Sequence, residues 1–137
     1  MNLSSLKIDA SAIEQGRWIK DLPELGDIQI KTRGTGNADW RRLHQKLVSA
    51  LPAQARVRGL ISPEEQDRIG VELLVETALL DWKNITDDDG VQIPFSKEKA
   101  REFLENPDMA KFKSGVQFAA GIVGEEEEAG RDADEKN

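Results

Sequence analysis

The chain has 137 residues, 38% hydrophobic content and a formal net charge of −7, with one histidine and no cysteine. Its length suits one domain, and its composition excludes disulfides, thiol nucleophiles, cysteine-ligated zinc and multi-histidine metal sites. No apolar run approaches the roughly 20 residues that span a bilayer, and the N-terminus lacks the pattern of a signal peptide. We therefore expect a protein of the cytoplasm.

The first 36 residues predict a small antiparallel β unit. Ile28 and Ile30 alternate with polar residues, which is the period of a half-buried strand. The candidate strands are residues 6–8, 16–19 and 27–33. Such a unit is marginal alone, so we expect it to pack on a helical part formed by residues 37–123. The predicted fold class is α+β, in a single domain of residues 1–123.

Gly34 and Gly36 lie between this β unit and the first predicted long helix. Their spacing matches neither a P-loop nor a dinucleotide fingerprint, so they predict a flexible connection and no phosphate site. Asn37 can cap a helix that runs to about Leu51, where Pro52 stops it. Its apolar stripe consists of Trp40, Leu43, Leu47, Val48 and Leu51.

The next helix has a stronger start signal, because Ser62-Pro63-Glu64-Glu65 places Ser at the N-cap and Pro at the first helical position. Residues 63–82 are apolar on most sides after Ile69, which predicts one long central core helix. Two further helices are predicted, one capped by Ser96 and running to about Glu105, and a last one beginning at Asn106-Pro107.

Residues 82–95 predict a short hairpin with its turn at Asp89-Gly90. The acidic residues Asp87–Asp89 also match part of a calcium-binding EF-hand loop. Positions 1 and 12 of that loop would be Ile85 and Ser96, which are not acidic ligands. We find no candidate metal ligands, cofactor site or catalytic group; the lone His44 is interpreted as a solvent-edge residue. The protein is not expected to be an enzyme.

Charge is distributed unevenly. Residues 31–58 carry seven basic side chains and one acidic side chain, whereas residues 124–137 carry seven acidic and two basic ones. This C-terminal tail is predicted to be disordered, because it has too little apolar surface to offset its ordering entropy. The basic segment could bind a protein partner, pair with the acidic tail or form a solvated helix face; a nucleic-acid site is less favoured. Its members are Lys31, Arg33, Arg41, Arg42, Lys46, Arg56 and Arg58.

Residues 78–100, ALLDWKNITDDDGVQIPFSKEKA, carry a family resemblance. A helix ending in Trp82, an acidic turn with Gly90, a Pro94-Phe95 step and a short helix before Pro107 are similar to the tail assembly chaperones of long-tailed bacteriophages and prophages. The β unit and the basic helix agree with this pattern, so the resemblance covers roughly residues 6–115.

The resemblance implies a non-enzymatic chaperone that acts in the host cytoplasm during tail morphogenesis. Such proteins bind the tape-measure protein, help recruit tail-tube subunits and are absent from the finished virion. The alternatives are a structural head–tail joining or minor tail protein and a small nucleic-acid-binding regulator. Self-association stays open.

For such a chaperone, an apolar surface beside the basic segment would bind a client helix through anchors at i, i+3 or i+4, and i+7. Our hypothesis places this surface on helix 63–82 and on the stripe 109–123, because both carry more apolar positions than one face requires. The predicted partner-binding residues are Leu74, Leu79, Phe112 and Val116, together with Arg41, Arg42, Lys46, Arg56 and Arg58.

Overall fold

The computed structural model describes residues 2–7 and 10–125. Over these residues, five α-helices are combined with a three-stranded antiparallel sheet and a separate two-stranded hairpin. The predicted α+β fold class is thereby confirmed. The helices are α1 (Ala10–Gln15), α2 (Ala38–Ser49), α3 (Pro63–Leu73), α4 (Lys97–Glu105) and α5 (Ala110–Glu125). The strands are β1 (Arg17–Ile19), β2 (Gln29–Thr32), β3 (Arg56–Val57), β4 (Leu60–Ile61) and β5 (Leu79–Lys83).

The sheet has the strand order β1-β2-β5, with antiparallel pairing throughout. Ile19 pairs with Ile30, and Ile30 pairs with Trp82, so one buried row of side chains crosses all three strands. The predicted strand at residues 6–8 is wrong for its described part, because Leu3–Leu6 form a 3₁₀ turn; Ile8 lies outside the described residues. The third strand is β5, from the part of the chain that the sequence pattern assigned to helices.

The long helix predicted for residues 63–82 is also wrong. α3 ends at Leu73, a π-helical turn covers Leu74–Ala78, and the chain then enters β5. Tertiary partners hold this change of structure in place. Asn37 Nδ2 donates to the Thr77 carbonyl at 2.8 Å, and the Arg33 amide donates to the Ala78 carbonyl at 2.9 Å. An uninterrupted helix would need these carbonyls for its own hydrogen bonds.

The four predicted helix caps are confirmed. Each cap side chain accepts a hydrogen bond from a backbone amide two or three residues further on: Asn37 from Trp40, Ser62 from Glu65, Ser96 from Lys99 and Asn106 from Asp108. The turn at Asp89-Gly90 is confirmed as well, since the Gly90 amide donates to the Asp87 carbonyl and Thr86 bridges to Gln92.

One hydrophobic cluster connects the sheet with α3, α4, α5 and the π-helical turn. The connection at 33–37, predicted to be flexible, is held by this framework, because the Gly34 amide donates to Ile13 and the Thr35 amide donates to Ala120. A β-carbon on Gly34 would lie 2.7 Å from the α-carbon of Gly124, so a larger residue would push α5 away. The predicted disorder of the tail is not tested, because residues 126–137 lie outside the described residues.

Candidate partner-binding surfaces

An open apolar cleft of about 490 Å³ lies between the loop after β1 and the segment that joins α4 to α5. Leu25 and Ile28 come from the loop, and Ile85 follows β5. Phe103 of α4 lines the opposite side of the cleft. Asp108 and Lys111 are the charged residues of its lining. The other lining residues are Met109, Ala110 and Phe112. This volume is within the range of clefts that bind ligands or side-chain anchors.

An aromatic cluster forms one side of this cleft. Trp82 stacks on Phe103 at 5.5 Å between ring centroids, and it meets Phe95 (5.0 Å) and Phe112 (5.8 Å) in T-shaped contacts. The indole Nε1 donates to the Ile93 carbonyl at 2.7 Å, which fixes the ring in the core. Because Phe103 and Phe112 belong to both the cluster and the cleft, this wall of the cleft is preorganised.

The wall formed by the loop after β1 is held by a turn at Leu22–Leu25 and by its contact with Gly115 of α5. The Leu25 amide donates to the Leu22 carbonyl at 3.2 Å, and Asn84 Nδ2 holds the Asp27 carbonyl at 2.8 Å. Gly115 of α5 faces Leu25, and a β-carbon there would overlap the leucine side chain. Gly115 therefore permits the close contact between the loop and α5 that shapes the cleft.

A smaller cavity of about 140 Å³ continues the apolar surface along α5. Lys111 lines both cavities, and Phe118 lies in the smaller one with 50% of its surface exposed. A half-exposed phenylalanine beside an apolar cleft is typical of a surface that binds another apolar group. We call the two cavities together the apolar groove.

The five predicted basic residues all have exposed side chains on α2 and on the β3–β4 hairpin. Arg42 lies 3.5 Å from Asp39, and one guanidinium nitrogen of Arg56 donates to the Val48 carbonyl at 3.0 Å. The second contact joins the hairpin to the end of α2. Within the described part of the chain, the other three make no ion pair. We call these five residues, Arg41, Arg42, Lys46, Arg56 and Arg58, the basic surface.

The predicted apolar partner-binding residues are in a different position. Leu74 (2% exposed), Leu79 (3%), Phe112 (4%) and Val116 (0%) are core residues. Their placement on a client-binding surface is therefore corrected, because a partner could reach them only if the core opened. Phe112 alone also lines the cleft, at its inner side. Residues 63–82 contain more apolar residues than one helix face needs, because the π-helical turn and β5 bury side chains on several sides.

Sequence reasoning missed the loop residues of the cleft, Leu25 and Ile28. Leu25 lay in a segment interpreted as a turn, and Ile28 in a segment interpreted as a strand. Met109 belonged to the apolar stripe predicted for the last helix. The helical spacing of that stripe was the sequence signal that pointed to part of the cleft. Two of the residues that complete the cleft, Leu25 and Ile28, lie more than 80 positions from Met109 in the sequence.

An acidic surface lies on α3, the π-helical turn and α4. Arg101 forms ion pairs there with Glu72, Glu76 and Glu105. The hydrogen bond with Glu72 is the main cause of the raised pKa of Arg101, so this guanidinium stays charged. Among the residues that the structure describes, no group of three acidic or histidine side chains could hold a metal ion.

No helix in residues 2–7 and 10–125 is long and apolar enough to cross a membrane. Fold and surfaces define a small α+β protein with an apolar groove and a separate basic surface. The family model of the YdaY prophage protein matches residues 35–137, which is 103 of the 137 residues. The chain therefore belongs to the YdaY prophage protein family. Comparisons with curated proteins and with solved structures find no match.

Proposed function

We propose that this prophage protein is a tail assembly chaperone. It binds the tape-measure protein in the host cytoplasm, keeps it soluble and helps recruit tail-tube subunits. The apolar groove beside α5 is the single observation that carries this proposal. Membership of a prophage family and the sequence resemblance described above support the same function.

The groove suits one face of an amphipathic client helix. Such a helix presents apolar side chains at i, i+3 or i+4, and i+7, so successive anchors lie one turn apart along a line. The cleft at Met109 accepts one anchor group, and the exposed Phe118 offers a second contact further along α5. Lys111 lies between the two and can pair with a carboxylate of the client.

The basic surface has a supporting role in this proposal. Fields from clustered charges accelerate encounters with an oppositely charged partner and fall steeply with ionic strength. Arg41 and Lys46 are available for this role, because both are exposed and neither forms an ion pair within the described residues. The positive charge of α2 would thus speed the approach of the client, and apolar contacts in the groove would provide most of the affinity for it.

The test is co-expression with the tape-measure protein encoded by the same prophage. We expect the client to be insoluble alone and to become soluble and co-purify with this protein. Met109→Glu places a charge in the half-buried centre of the cleft, and we expect at least about a tenfold loss of client recovery, which corresponds to about 1.4 kcal/mol.

Val91→Ser is the matched control. Val91 is 60% exposed and lines neither cavity of the groove, so its replacement removes apolar surface elsewhere and should leave recovery unchanged. Thermal unfolding of both variants shows whether each remains folded. Equal recovery with folded Met109→Glu and wild-type protein would remove the groove from the mechanism.

Mass spectrometry of purified particles separates the chaperone from a structural tail component. We expect the tape-measure and tube proteins in the particles and this chain only in the lysate. Stoichiometric amounts of this chain in the particles would assign it to the head–tail joint or the tail itself.

A further inference from the structure

We propose that α5 binds the α5 of a second copy of this chain, and that Phe118 of each copy fills the smaller cavity of the other. The occupant of this part of the apolar groove, when no client is bound, is thus a symmetric partner. The contact itself is independent of the chaperone function, whereas its effect on client binding rests on that proposal.

The outer side of α5 lacks the charge that a solvated helix face carries. Residues 114–124 contain no charged side chain, although 33% of the chain is charged. Ser114, Gln117 and Phe118 of this stretch are exposed. A helix side that faces water normally presents charged and polar residues. Depletion of charge around an exposed aromatic side chain is instead the composition of the centre of a protein–protein interface.

This side of α5 presents both a projecting side chain and a depression. Phe118 is 50% exposed, and it borders the cavity of about 140 Å³ that also contains Gly115 in its lining. A two-fold axis brings a surface against itself, so every projecting group must meet a depression on that same surface. A protein cavity of about 150 Å³ can hold a benzene ring. The smaller cavity therefore suits the ring of Phe118 from a second copy.

The helical spacing gives the register of the pair. Lys111 and Phe118 line the same cavity and are two turns apart on α5. In an antiparallel pair, a two-fold axis midway between them passes beside Ser114 and Gly115. Phe118 of one copy then lies over Lys111 of the other, at the mouth of its cavity. Both copies are engaged in the same way, which closes the dimer and leaves no free end for a filament.

The charges at the rim of the cavity complement each other in this arrangement. Glu24 and Lys111 are exposed, they line the cavity, and neither forms an ion pair with the residues that the structure describes. Because Glu24 and Phe118 border one cavity, the Phe118 that lies over Lys111 of the other copy brings its own Glu24 close to that ammonium group. The symmetry produces this pair twice.

The size of the contact sets its strength. The 16 residues of α5 rise over about 24 Å, and two such helices form an interface of the weak, transient class, below about 1,200 Å². We expect a dissociation constant of about 10–100 µM. Phe118 and Lys111 are also the proposed client contacts, so the dimer and the client complex exclude each other. A client helix that binds more tightly displaces the second copy.

Sedimentation velocity of the 137-residue chain without client tests the contact. The monomer mass is 15.3 kDa, and we expect the average mass to approach twice that value as the concentration rises from about 1 µM to about 1 mM. Phe118→Ser removes the apolar anchor and should weaken the dimer at least about tenfold. Leu60 is 71% exposed and lines neither cavity, so the matched variant Leu60→Ser should dimerise like wild type. Thermal melts show whether both variants remain folded.

Two charge variants test the pairing between copies at low salt, where screening is weak. Lys111→Glu places two carboxylates at each contact, and Glu24→Lys places two ammonium groups there, so each variant alone should dimerise at least about tenfold more weakly. An equimolar mixture should recover the wild-type affinity, because opposite charges then meet across the interface. Pairing within one copy predicts no recovery, since each variant keeps like charges in its own chain. Lys46→Glu makes the same charge change on α2 and should leave the dimer intact.

The proposal fails if the wild-type chain stays monomeric at about 1 mM, if folded Phe118→Ser protein dimerises like wild type, or if the mixture dimerises no better than its components. The charge variants keep the test decisive even if Phe118→Ser unfolds, because Glu24 and Lys111 are exposed. All of these assays lack client. A tape-measure protein that stays insoluble in co-expression would refute the chaperone function and leave the dimer standing, so the two proposals can fail separately.

Discussion

Asn37 should contribute more to stability than an ordinary helix cap. Its side chain is fully buried, with Oδ1 accepting from the Trp40 amide at 2.8 Å and Nδ2 donating to the Thr77 carbonyl at 2.8 Å. Nδ2 also donates to the Gly34 carbonyl at 3.0 Å. The amide thus joins α2, the π-helical turn before β5 and the connection that packs on α5. Asn37→Ala removes all three of these side-chain hydrogen bonds.

The magnitude follows from these contacts. Loss of the cap lowers the free energy of unfolding by about 1 kcal/mol. The Thr77 carbonyl loses its Asn37 donor in a dry site, which adds about 1–3 kcal/mol. The Gly34 carbonyl retains a hydrogen bond from the Asn37 main-chain amide at 3.2 Å, so its loss is smaller. We expect a total of about 3 kcal/mol, or a decrease of roughly 10 °C in the melting temperature.

Urea unfolding of three variants is the assay. Asn37→Ser retains a cap oxygen, but its shorter side chain cannot place the hydroxyl donor where Nδ2 meets the Thr77 carbonyl. It should therefore recover only the cap's share of the loss, about 1 kcal/mol. Ser62→Ala removes only a cap whose hydrogen bond is 3.4 Å long, and we expect a loss of about 1 kcal/mol or less. Wild-type stability in Asn37→Ser, or equal losses in Asn37→Ala and Ser62→Ala, would refute the role of the Thr77 contact.

Three further substitutions test a close backbone contact, a buried hydrogen bond and a group of ion pairs. Gly34→Ala should lower the free energy of unfolding by about 1–3 kcal/mol in urea, because the new methyl group overlaps the backbone at Gly124; an unchanged midpoint would contradict the close contact. Trp82→Phe removes the 2.7 Å hydrogen bond to the Ile93 carbonyl, and calorimetry should show a loss of about 1–3 kcal/mol, since that acceptor is then unpaired. Arg101→Gln removes the cation shared by Glu72, Glu76 and Glu105, of which Glu76 keeps its pair with Lys97. Thermal melts should show a loss of about 1 kcal/mol that shrinks with added salt, and an equal loss at high salt would argue for packing as its cause.

Sequence predictions were confirmed where a structure depends on neighbouring residues, as in helix caps and tight turns. Asn37, Ser62, Ser96 and Asn106 cap helices because a short polar side chain reaches the free amides of the first turn. The Asp89-Gly90 turn likewise depends on neighbouring residues, with Gly90 at a φ of +81°. The basic side chains of α2 were placed correctly on the surface, because they lie off the apolar stripe of a helix whose start was certain.

The apolar run at 71–82 shows where local reasoning fails. It is compatible with a buried helix and with a buried strand, since burial on several sides removes the periodicity that distinguishes them. The exposed apolar surface predicted at Leu74 and Leu79 followed from the same error. The position of β2 resolves the ambiguity, because its pairing with β5 and the donors from Arg33 and Asn37 use the carbonyl and amide groups that a helix would need.

The α+β class, the caps at Asn37, Ser62, Ser96 and Asn106, the hairpin turn and the exposure of the basic side chains could be read from the sequence. The short helix α1, the strand order, the end of α3 and the apolar groove depend on tertiary contacts. The groove is formed by Leu25 and Ile28 from the N-terminal loop, Ile85 after β5 and Met109 before α5. No window of the sequence contains that set, because a cleft is a property of distant segments brought together by burial of a common core.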